Sequence, residues 1–257
     1  MRRLNLLAVV GLAACLAAPA CAFERVGVVL LHGKTGTPAQ FETVAGTLIE
    51  AGFAVETPEM CWSAGRLYDD PFAECMSDVD TAIGYLRRDG VNRIVIGGHS
   101  LGALGALGYA ATHEGLAGVI VLGAAGDPGD FNTNPAVAKS IRTAETMVAA
   151  GNGGVTADFT DRVLGRNFTV RTTADAFLSF LGPDSPLAIR HTLPAIDAPL
   201  LWIAGTKDGS QRNAAALFAM APDDAMSRLV KVSANHLGTP DAGTSAMITW
   251  LTELEDR

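Results

Sequence analysis

The feature that most restricts how this chain can fold is a regular alternation of short apolar runs with segments of helical spacing. The apolar runs are rich in β-branched residues, and they occupy residues 26–31, 53–57, 93–97, 118–123, 200–205 and 227–232. Runs of this length predict strands that are buried on both faces. The helix-like segments occupy residues 38–51, 77–88, 101–112, 211–220 and 244–254. The first of them opens with Thr37 and Gln40 at the spacing of a capping box.

This alternation predicts an α/β fold, because parallel strands are joined by helical crossovers. Right-handed crossovers place helices on both faces, so we expect a doubly wound, mostly parallel sheet of about six strands. Ligands in such sheets bind beyond the carboxyl ends of the strands. Residues 124–199 form a stretch that is too long for a simple crossover and contains helix-like patches at 136–150 and 173–181. This stretch predicts a small helical cap, inserted at about residues 126–190.

Composition narrows the class of protein and of partner. The chain has 257 residues, of which 49% are hydrophobic and 18% charged, so it can bury the core of one domain and is not a disordered chain. A formal net charge of -8 provides no basic footprint. That charge argues against nucleic acid, or an anionic membrane surface, as the main partner. Small neutral substrates are more compatible with this negative net charge.

The first 22 residues predict a signal peptide rather than part of the fold. A short positive start is followed by an apolar run at residues 6–16, too short for a membrane span, and small residues precede a cleavage site before Phe23. We therefore expect residues 23–257 to form the mature domain, in the periplasm or secreted. Two alternatives remain open: the segment that ends at Cys15 is similar to a lipobox and would anchor a lipoprotein, and an uncut segment would tether the domain.

The number of cysteines bears on both questions. Cleavage after Ala22 removes Cys15 and Cys21 and leaves Cys61 and Cys75, an even pair in an oxidising compartment. Lipidation of Cys15 would instead leave Cys21 unpaired. Parity therefore predicts a disulfide between Cys61 and Cys75, the alternative being two separately buried thiols.

A candidate nucleophile follows the third apolar run, in the sequence Gly98-His99-Ser100-Leu101-Gly102. This G-x-S-x-G pattern between a strand and a helix is typical of a tight turn that exposes a reactive serine. Glycines flank the turn because side chains there would strike the neighbouring strand and helix. We expect His99 to point away from the site. A Ser-Gly turn that merely caps the helix is the alternative.

The segment after the first run, residues 32–36, predicts the donors that stabilise a developing oxyanion. The backbone N–H groups of Lys34 and Leu101 are the two candidates, and Gly33 allows close approach of the main chain. His32 can brace this loop by a hydrogen bond. A nucleotide-binding P-loop is disfavoured, because Val28 stands where its first glycine is required.

The base and the acid are predicted from loops that follow later strands. Among five histidines, His236 follows the last apolar run and can reach Ser100. Asp208 follows the fifth run and can orient the imidazole. Asp127 or Asp130, after the fourth run, could serve instead. The chain order serine, aspartate, histidine is the order expected for this mechanism on this fold.

The residues that contact substrate are the least determined. Trp62, Arg66 and Tyr68 follow the second run at the same edge and, with His32, are candidates to line an acyl or alcohol pocket. A surface loop held by the predicted disulfide is the competing interpretation. H-E-x-x-H, Cys-x-x-Cys and clustered histidines are absent from the sequence, so we expect no metal and no cofactor.

These motifs resemble the α/β-hydrolase superfamily, and the resemblance spans residues 26 to 255. It implies Ser100 as nucleophile, His236 as base and Asp208 as acid, with Lys34 and Leu101 as main-chain donors. It also implies a reduced six-stranded sheet, because this chain begins at the equivalent of the usual third strand. Members of the superfamily are mostly esterases, lipases, thioesterases and related acyl hydrolases.

The resulting expectation is an exported serine hydrolase that cleaves a small-molecule carboxylic ester through an acyl-enzyme on Ser100. Peptidase, thioesterase and perhydrolase chemistry use the same three residues and stay open. A catalytically idle binding module is the alternative from another class of protein. The sequence predicts no stable membrane insertion unless Cys15 is lipidated, and it makes no prediction of oligomeric state.

Overall fold

The computed structural model describes residues 25–124, 128, 133–221 and 223–257. The predicted signal peptide, with the alternative anchor at Cys15, lies outside the described residues. Asp127 and Asp130 also lie outside them. Within these ranges, no helix combines the length and the apolar character that crossing a membrane requires.

Eight strands and eight α-helices are described. The strands are β1 (Val26–Leu31), β2 (Ala54–Glu56), β3 (Arg93–His99), β4 (Gly118–Leu122), β5 (Thr156–Val163), β6 (Arg166–Thr173), β7 (Leu200–Gly205) and β8 (Arg228–Val232). The helices are α1 (Glu42–Glu50), α2 (Phe72–Arg88), α3 (Leu101–Ala110), α4 (Pro135–Ala149), α5 (Ala174–Leu181), α6 (Ile189–Thr192), α7 (Ala214–Phe218) and α8 (Thr239–Glu255).

Six strands form one parallel sheet in the order β2-β1-β3-β4-β7-β8. This confirms the predicted α/β fold with six parallel strands. The order reverses direction at β1 and β3, where ligand sites of such sheets form. The strands in the middle of the sheet are buried along nearly their whole length, but β2 and β8 are mostly half-buried. The prediction of burial on both faces was wrong for these two, because they lie at the edges of the sheet.

Apolar side chains of the sheet pack into two separate clusters. Val29 and Leu31 of β1 belong to one cluster, whereas Val28 and Leu30 belong to the other. Successive side chains of a strand point to opposite faces, so the two clusters lie on opposite faces of the sheet. Helices therefore cover both faces, as the doubly wound arrangement requires.

Two helix predictions need correction. The predicted helix 211–220 is a 3-10 turn over Gly209–Asn213 followed by the short α7. The predicted capping box is wrong, because Thr37 makes no side-chain capping hydrogen bond and a 3-10 turn over Pro38–Phe41 precedes α1. The side chain of Gln40 has other partners, described below.

The insertion between β4 and β7 is only partly helical. Helices α4 and α5 lie within one residue of the predicted patches, and α6 follows them. Between α4 and α5, strands β5 and β6 pair as an antiparallel hairpin that was not predicted. Most of its side chains are exposed or half-exposed, with Phe159, Asp161, Val170 and Thr172 buried. A hairpin with so few buried apolar residues lacks the continuous apolar run by which the other strands were predicted.

Candidate active site

Ser100 occupies a strained turn between β3 and α3. Its φ is 58° and its ψ is -115°, a region that residues other than glycine rarely adopt. A Cβ atom at Gly98 would overlap the backbone of Gly102, and one at Gly102 would overlap the backbone of Leu31. Glycine is therefore required at position 98 for α3 to approach β3, and at position 102 for α3 to approach the end of β1. The turn presents the Ser100 hydroxyl at the carboxyl end of β3.

Three of the predicted residues meet at this edge of the sheet. The loop after β8 carries His236, whose Nε2 lies 3.0 Å from Oγ of Ser100. The loop after β7 carries Asp208, whose Oδ2 lies 2.7 Å from Nδ1 of His236. A hydroxyl, an imidazole and a carboxylate in this order can remove a proton from the hydroxyl and stabilise the resulting imidazolium.

The environment of Asp208 favours its charged form. Oδ1 accepts hydrogen bonds from the backbone N–H of Ser210, at 2.9 Å, and from its hydroxyl, at 2.7 Å. Burial raises the pKa of Asp208, but the hydrogen bonds from His236 and Ser210 outweigh burial and hold this pKa below its ordinary value. The side chain is therefore a carboxylate that can accept the Nδ1–H of His236.

The loop after β1 lies beside Ser100 because β1 pairs with β3, with Leu31 opposite Gly98. A Cβ atom at Gly33 would lie 3.5 Å from Cβ of Ser100, so the main chain comes close to the serine here. Leu101 is the first residue of α3, where a backbone N–H has no acceptor within the helix. The predicted donor loop and the start of α3 thus flank the same hydroxyl.

The side chain of Lys34 points to the cap insertion. Its Nζ lies 2.9 and 2.8 Å from the two carboxylate oxygens of Asp161 on β5, and both side chains are buried. The hydroxyl of Tyr68 donates to the same carboxylate at 2.7 Å. The sequence analysis did not identify Asp161 as a functional residue. Its partner Lys34 lies 127 residues earlier in the chain, and no local sequence pattern relates the two.

A cavity of about 460 Å³ opens over Ser100 and His236. Its walls come from the loop after β1, from the tip of the β5–β6 hairpin and from the loop of His236. Apart from those two residues, the lining consists of Gly33, Lys34, Thr35, Gly36, Thr37, Gln40, His99, Val163, Leu164 and Leu237.

None of the four side chains predicted to line a pocket belongs to this wall. His32 is buried and hydrogen-bonded through Nδ1 to the carbonyl of Gly33, at 2.9 Å. Trp62 is buried and donates from Nε1 to the carbonyl of His32. Tyr68 is buried against Asp161, as described above. His32 and Trp62 therefore support the main chain of the loop after β1, and Tyr68 supports the β5–β6 hairpin through Asp161.

Arg66 is the fourth, and it lies in a cluster of ion pairs. Its guanidinium lies 2.8 Å from Asp69 and 2.6 Å from Asp78, with Asp70 at 3.4 Å. The prediction that Arg66 lines a substrate pocket is corrected, because three carboxylates outside the cavity hold its charge. Cys61 and Cys75, in the same region, lie side by side with their Cα atoms 5.7 Å apart, within the range for a disulfide.

Two polar residues of the cavity wall were assigned differently from the sequence. His99 does not point away from the site: its ring centroid lies 4.7 Å from that of His236, and its Nε2 lies 2.9 Å from the carbonyl oxygen of His236. Gln40 contacts both Gly33 and His99. Within the described residues, no group of three or more potential metal ligands is found.

Comparison with known proteins finds similarity to ester-cleaving enzymes by name. A protein named "Thermostable monoacylglycerol lipase", from Bacillus sp. (strain H-257), is 31% identical over 106 residues, which are 40% of this chain and 42% of that protein. The chain therefore matches less than half the length of this curated relative.

Solved structures match over most of the chain. The monoacylglycerol lipase of Paleococcus ferrophilus superposes with a TM-score of 0.61 at 19% identity, covering 89% of this chain and 94% of that one. A thermostable carboxyl esterase from Bacillus coagulans, solved in complex with glycerol, has a TM-score of 0.63 at 16% identity and covers 90% of each chain. At these identities the likeness shows a shared fold.

The family assignment rests on the sequence profile described as "Alpha/beta hydrolase family", which matches residues 28–248. The matched range contains Ser100, Asp208 and His236, together with the six-stranded sheet except for the first two residues of β1. The strand order, the strained serine turn and the solved relatives agree with that profile. The chain belongs to the alpha/beta hydrolase family.

Proposed function

We propose that this protein is a serine hydrolase that cleaves a carboxylic ester through an acyl-enzyme on Ser100. The observation that carries the proposal is the continuous line from Asp208 to His236 at 2.7 Å and from His236 to Ser100 at 3.0 Å. The strained turn supports it further, because such strain persists where surrounding structure holds a reactive group in position.

The reaction proceeds in two halves. In the first, Nε2 of His236 takes the hydroxyl proton as Oγ of Ser100 attacks the ester carbonyl, and the imidazolium then protonates the departing alcohol. In the second half, His236 takes a proton from water, the hydroxide attacks the acyl-enzyme, and the proton returns to Ser100 as the carboxylic acid leaves. Asp208 keeps the imidazole oriented and stabilises its positive charge in both halves.

The negative oxygen that forms in each half requires hydrogen-bond donors. We assign this role to the backbone N–H groups of Lys34 and Leu101. The close approach of the loop at Gly33 to Ser100, and the position of Leu101 at the start of α3, support this assignment. Loss of one such donor typically costs about 10²–10³ in kcat.

The cavity supports an ester with an apolar group rather than a charged one. Val163, Leu164 and Leu237 contribute apolar side chains to its wall, and Leu164 and Leu237 are largely exposed at its mouth. The only charged side chain of the loop, that of Lys34, is already paired with Asp161. The relatives named monoacylglycerol lipase and carboxyl esterase support ester substrates as the class to test first.

The test combines covalent labelling with turnover. We expect a fluorophosphonate probe to label Ser100 in the folded protein. We also expect hydrolysis of p-nitrophenyl esters, and the acyl length that is hydrolysed fastest indicates the size of the acyl pocket. Ser100→Ala, the matched control, should abolish both. Absence of labelling in folded protein would favour the idle binding module. Parallel panels of amides, thioesters and peroxide acceptors distinguish peptidase, thioesterase and perhydrolase activity.

We further propose that the protein is exported and cleaved after Ala22. The apolar run at residues 6–16 and the small residues before Phe23 support this proposal. Expression of the full chain in a Gram-negative host, followed by fractionation, should yield a periplasmic protein that begins at Phe23. A lipid-modified Cys15 in the membrane fraction, abolished by Cys15→Ala, would establish the lipoprotein alternative instead.

A further inference from the structure

A chain of hydrogen bonds crosses the site from the loop after β1 to the loop of His236. It runs from Gly33 through the side chains of Gln40 and His99 to the main chain at His236, with separations of 2.8, 2.6 and 2.9 Å. We refer to these four residues as the cross-site bridge. It joins two loops that come from opposite ends of the chain, and it meets the line of Asp208, His236 and Ser100 only at the main chain of His236.

The amide of Gln40 can be oriented in only one way. The backbone N–H of Gly33 is an obligatory donor, so the atom that faces it at 2.8 Å is the carbonyl oxygen Oε1. The nitrogen Nε2 must then face Nδ1 of His99, at 2.6 Å. Because an amide nitrogen is purely a donor, Nδ1 of His99 accepts this bond and carries no proton.

The other end of the bridge gives the same result independently. Nε2 of His99 lies 2.9 Å from the carbonyl oxygen of His236, which is purely an acceptor. Nε2 must therefore carry a proton and donate it. Both contacts specify one state of His99, a neutral ring protonated at Nε2.

The surroundings leave room for this bridge and favour the neutral ring. A Cβ atom at Gly36 would lie 2.9 Å from Oε1 of Gln40, and one at Gly33 would lie 3.3 Å from Nδ1 of His99. Burial, and after it the proximity of His236, lower the pKa of His99 to about 4, and they outweigh the opposing influence of the hydrogen bond to the His236 main chain and of Asp208. A cation at His99 would oppose the positive charge that His236 must accept.

We propose that Gln40 and His99 are positioning residues of this enzyme: Gln40 holds His99 in its Nε2-protonated neutral form, and His99 fixes the main chain of His236 relative to the oxyanion loop. The proposal rests on the proposed function for its kinetic consequences. Its structural content, the protonation state of His99, holds whether or not Ser100 is reactive. Neither residue forms a bond to substrate in this role, so both act through His236 and the Gly33–Lys34 loop.

The kinetic test uses variants that break the bridge at defined points. Gln40→Leu removes both bonds of Gln40, whereas Gln40→Glu can still accept from Gly33 but cannot donate to His99 as a carboxylate. His99→Leu removes the bond to His236, and His99→Gln can restore it through its amide nitrogen. Ala39→Glu is the matched control, because it adds the same charge at an exposed neighbouring residue outside the bridge.

We expect Gln40→Leu, Gln40→Glu and His99→Leu each to lower kcat about tenfold to a hundredfold, since small displacements of reacting groups have effects of this size. KM should change less than kcat. His99→Gln should recover much of the loss, and Ala39→Glu should behave as wild type. The double variant Gln40→Leu/His99→Leu should be no slower than the slower single variant, because the two residues act as a unit.

A second measurement does not depend on activity. Imidazole ¹⁵N spectra of the Ser100→Ala protein should show His99 protonated at Nε2 alone at neutral pH. Gln40→Glu should shift this signal toward Nδ1 protonation or a full imidazolium, because a carboxylate then faces Nδ1. Thermal unfolding of every variant confirms that it folds, and Gln40→Glu keeps the test available if Gln40→Leu does not fold.

The outcomes separate the two proposals. If wild-type His99 carries its proton on Nδ1, or if the effects of Gln40→Leu and His99→Leu on kcat simply add, the bridge does not have this role. If Ser100→Ala retains ester turnover while the spectra show Nε2 protonation, the proposed function fails and the assignment of His99 survives.

Discussion

Asp208 divides its two carboxylate oxygens between separate partners. Oδ2 faces Nδ1 of His236, and Oδ1 accepts two bonds from Ser210. This division holds the carboxylate in one orientation, so that His236 keeps its proton on Nδ1 and presents a free Nε2 to Ser100. The orientation of the imidazole therefore depends on a residue that never contacts the hydroxyl.

This dependence leads to a prediction for Asp208→Asn. An amide can donate to Nδ1 and thereby favour the wrong tautomer, so we expect kcat to fall by about 10³–10⁴-fold with the fold retained. Steady-state ester hydrolysis and circular dichroism measure the two quantities. Asp127→Asn and Asp130→Asn serve as controls and should remain active. If one of them loses activity while Asp208→Asn keeps it, the acid has been assigned to the wrong strand.

Two buried histidines make stability depend on pH. Burial lowers the pKa of His32, and burial with the nearby His236 lowers that of His99 to about 4 from the ordinary 6.5. Both rings therefore bind protons more readily in the unfolded chain. Linkage then requires their contribution to the free energy of unfolding to be fully present above about pH 6.5 and to be lost as the pH falls toward 4.

We expect urea unfolding to show a free energy that decreases between pH 6.5 and 4. The variant His99→Gln lacks one of these groups, so its free energy of unfolding should decrease less steeply over the same interval. The slope is the readout, because the substitution also changes stability at every pH. Equal slopes for the two proteins would mean that His99 is not held neutral by the fold.

At the scale of elements, the β5–β6 hairpin is attached to the body of the domain by buried charge. The carboxylate of Asp161 pairs with the ammonium of Lys34, in the loop after β1, and accepts a hydrogen bond from the hydroxyl of Tyr68, in the loop before α2. The tip of the same hairpin supplies Val163 and Leu164 to the cavity wall. The ion pair thus fixes both the wall of the cavity and the loop that carries the proposed donor.

Breaking this pair should be costly. Asp161→Ala leaves the buried ammonium of Lys34 without its carboxylate, and we expect a loss of about 3–5 kcal/mol in the free energy of unfolding. Asp161→Asn keeps hydrogen-bonding atoms without the charge and should lose less. Urea denaturation measures both, and ester turnover should fall with them as the hairpin tip loses its position.

The hairpin offers its own control. Asp158 pairs with Arg171 across the same two strands at 3.0 Å, but both side chains are largely exposed. Exposed pairs gain little because water screens them, so Asp158→Ala should leave stability nearly unchanged. A loss at Asp158 as large as that at Asp161 would show that hairpin propensity, rather than the buried pair, determines the effect.

For the whole molecule, a disulfide between Cys61 and Cys75, which lie close together, would join the loop after β2 to α2. The two positions are separated by 14 residues, and a closed loop of this length is worth about 3 kcal/mol when the unfolded chain is constrained. We expect the non-reduced oxidised protein to yield a linked Cys61–Cys75 peptide. The variant Cys61→Ala/Cys75→Ala should unfold at lower urea concentration. Two free thiols in the mature protein would contradict this pairing.

Local sequence patterns were sufficient to predict the six-stranded sheet and the position of Ser100. The apolar runs predicted all six strands of the sheet, because the four central strands are buried and need continuous apolar sequence, and the half-buried edge strands β2 and β8 still carry short apolar runs. The G-x-S-x-G turn predicted Ser100 for a similarly local reason, since only glycine fits where β3 and α3 meet. The chain order of parallel strands then directed Asp208 and His236 to the same edge, where the structure brings them together.

The composition of the site beyond those residues was decided by contacts between distant parts of the chain. Gln40 lies 59 residues from His99, and Lys34 lies 127 residues from Asp161, so no local pattern could relate them. In the sequence, Gln40 fitted the spacing of a capping box as well as it fitted a place in the active site. Trp62 and Tyr68 are residue types that often line pockets, but in the structure both are buried in the core. Hydrophobic periodicity and turn chemistry act over a few residues and could therefore be read from the sequence. Which polar groups meet in the cavity depends on how the packed elements approach one another, and only the tertiary structure determines that.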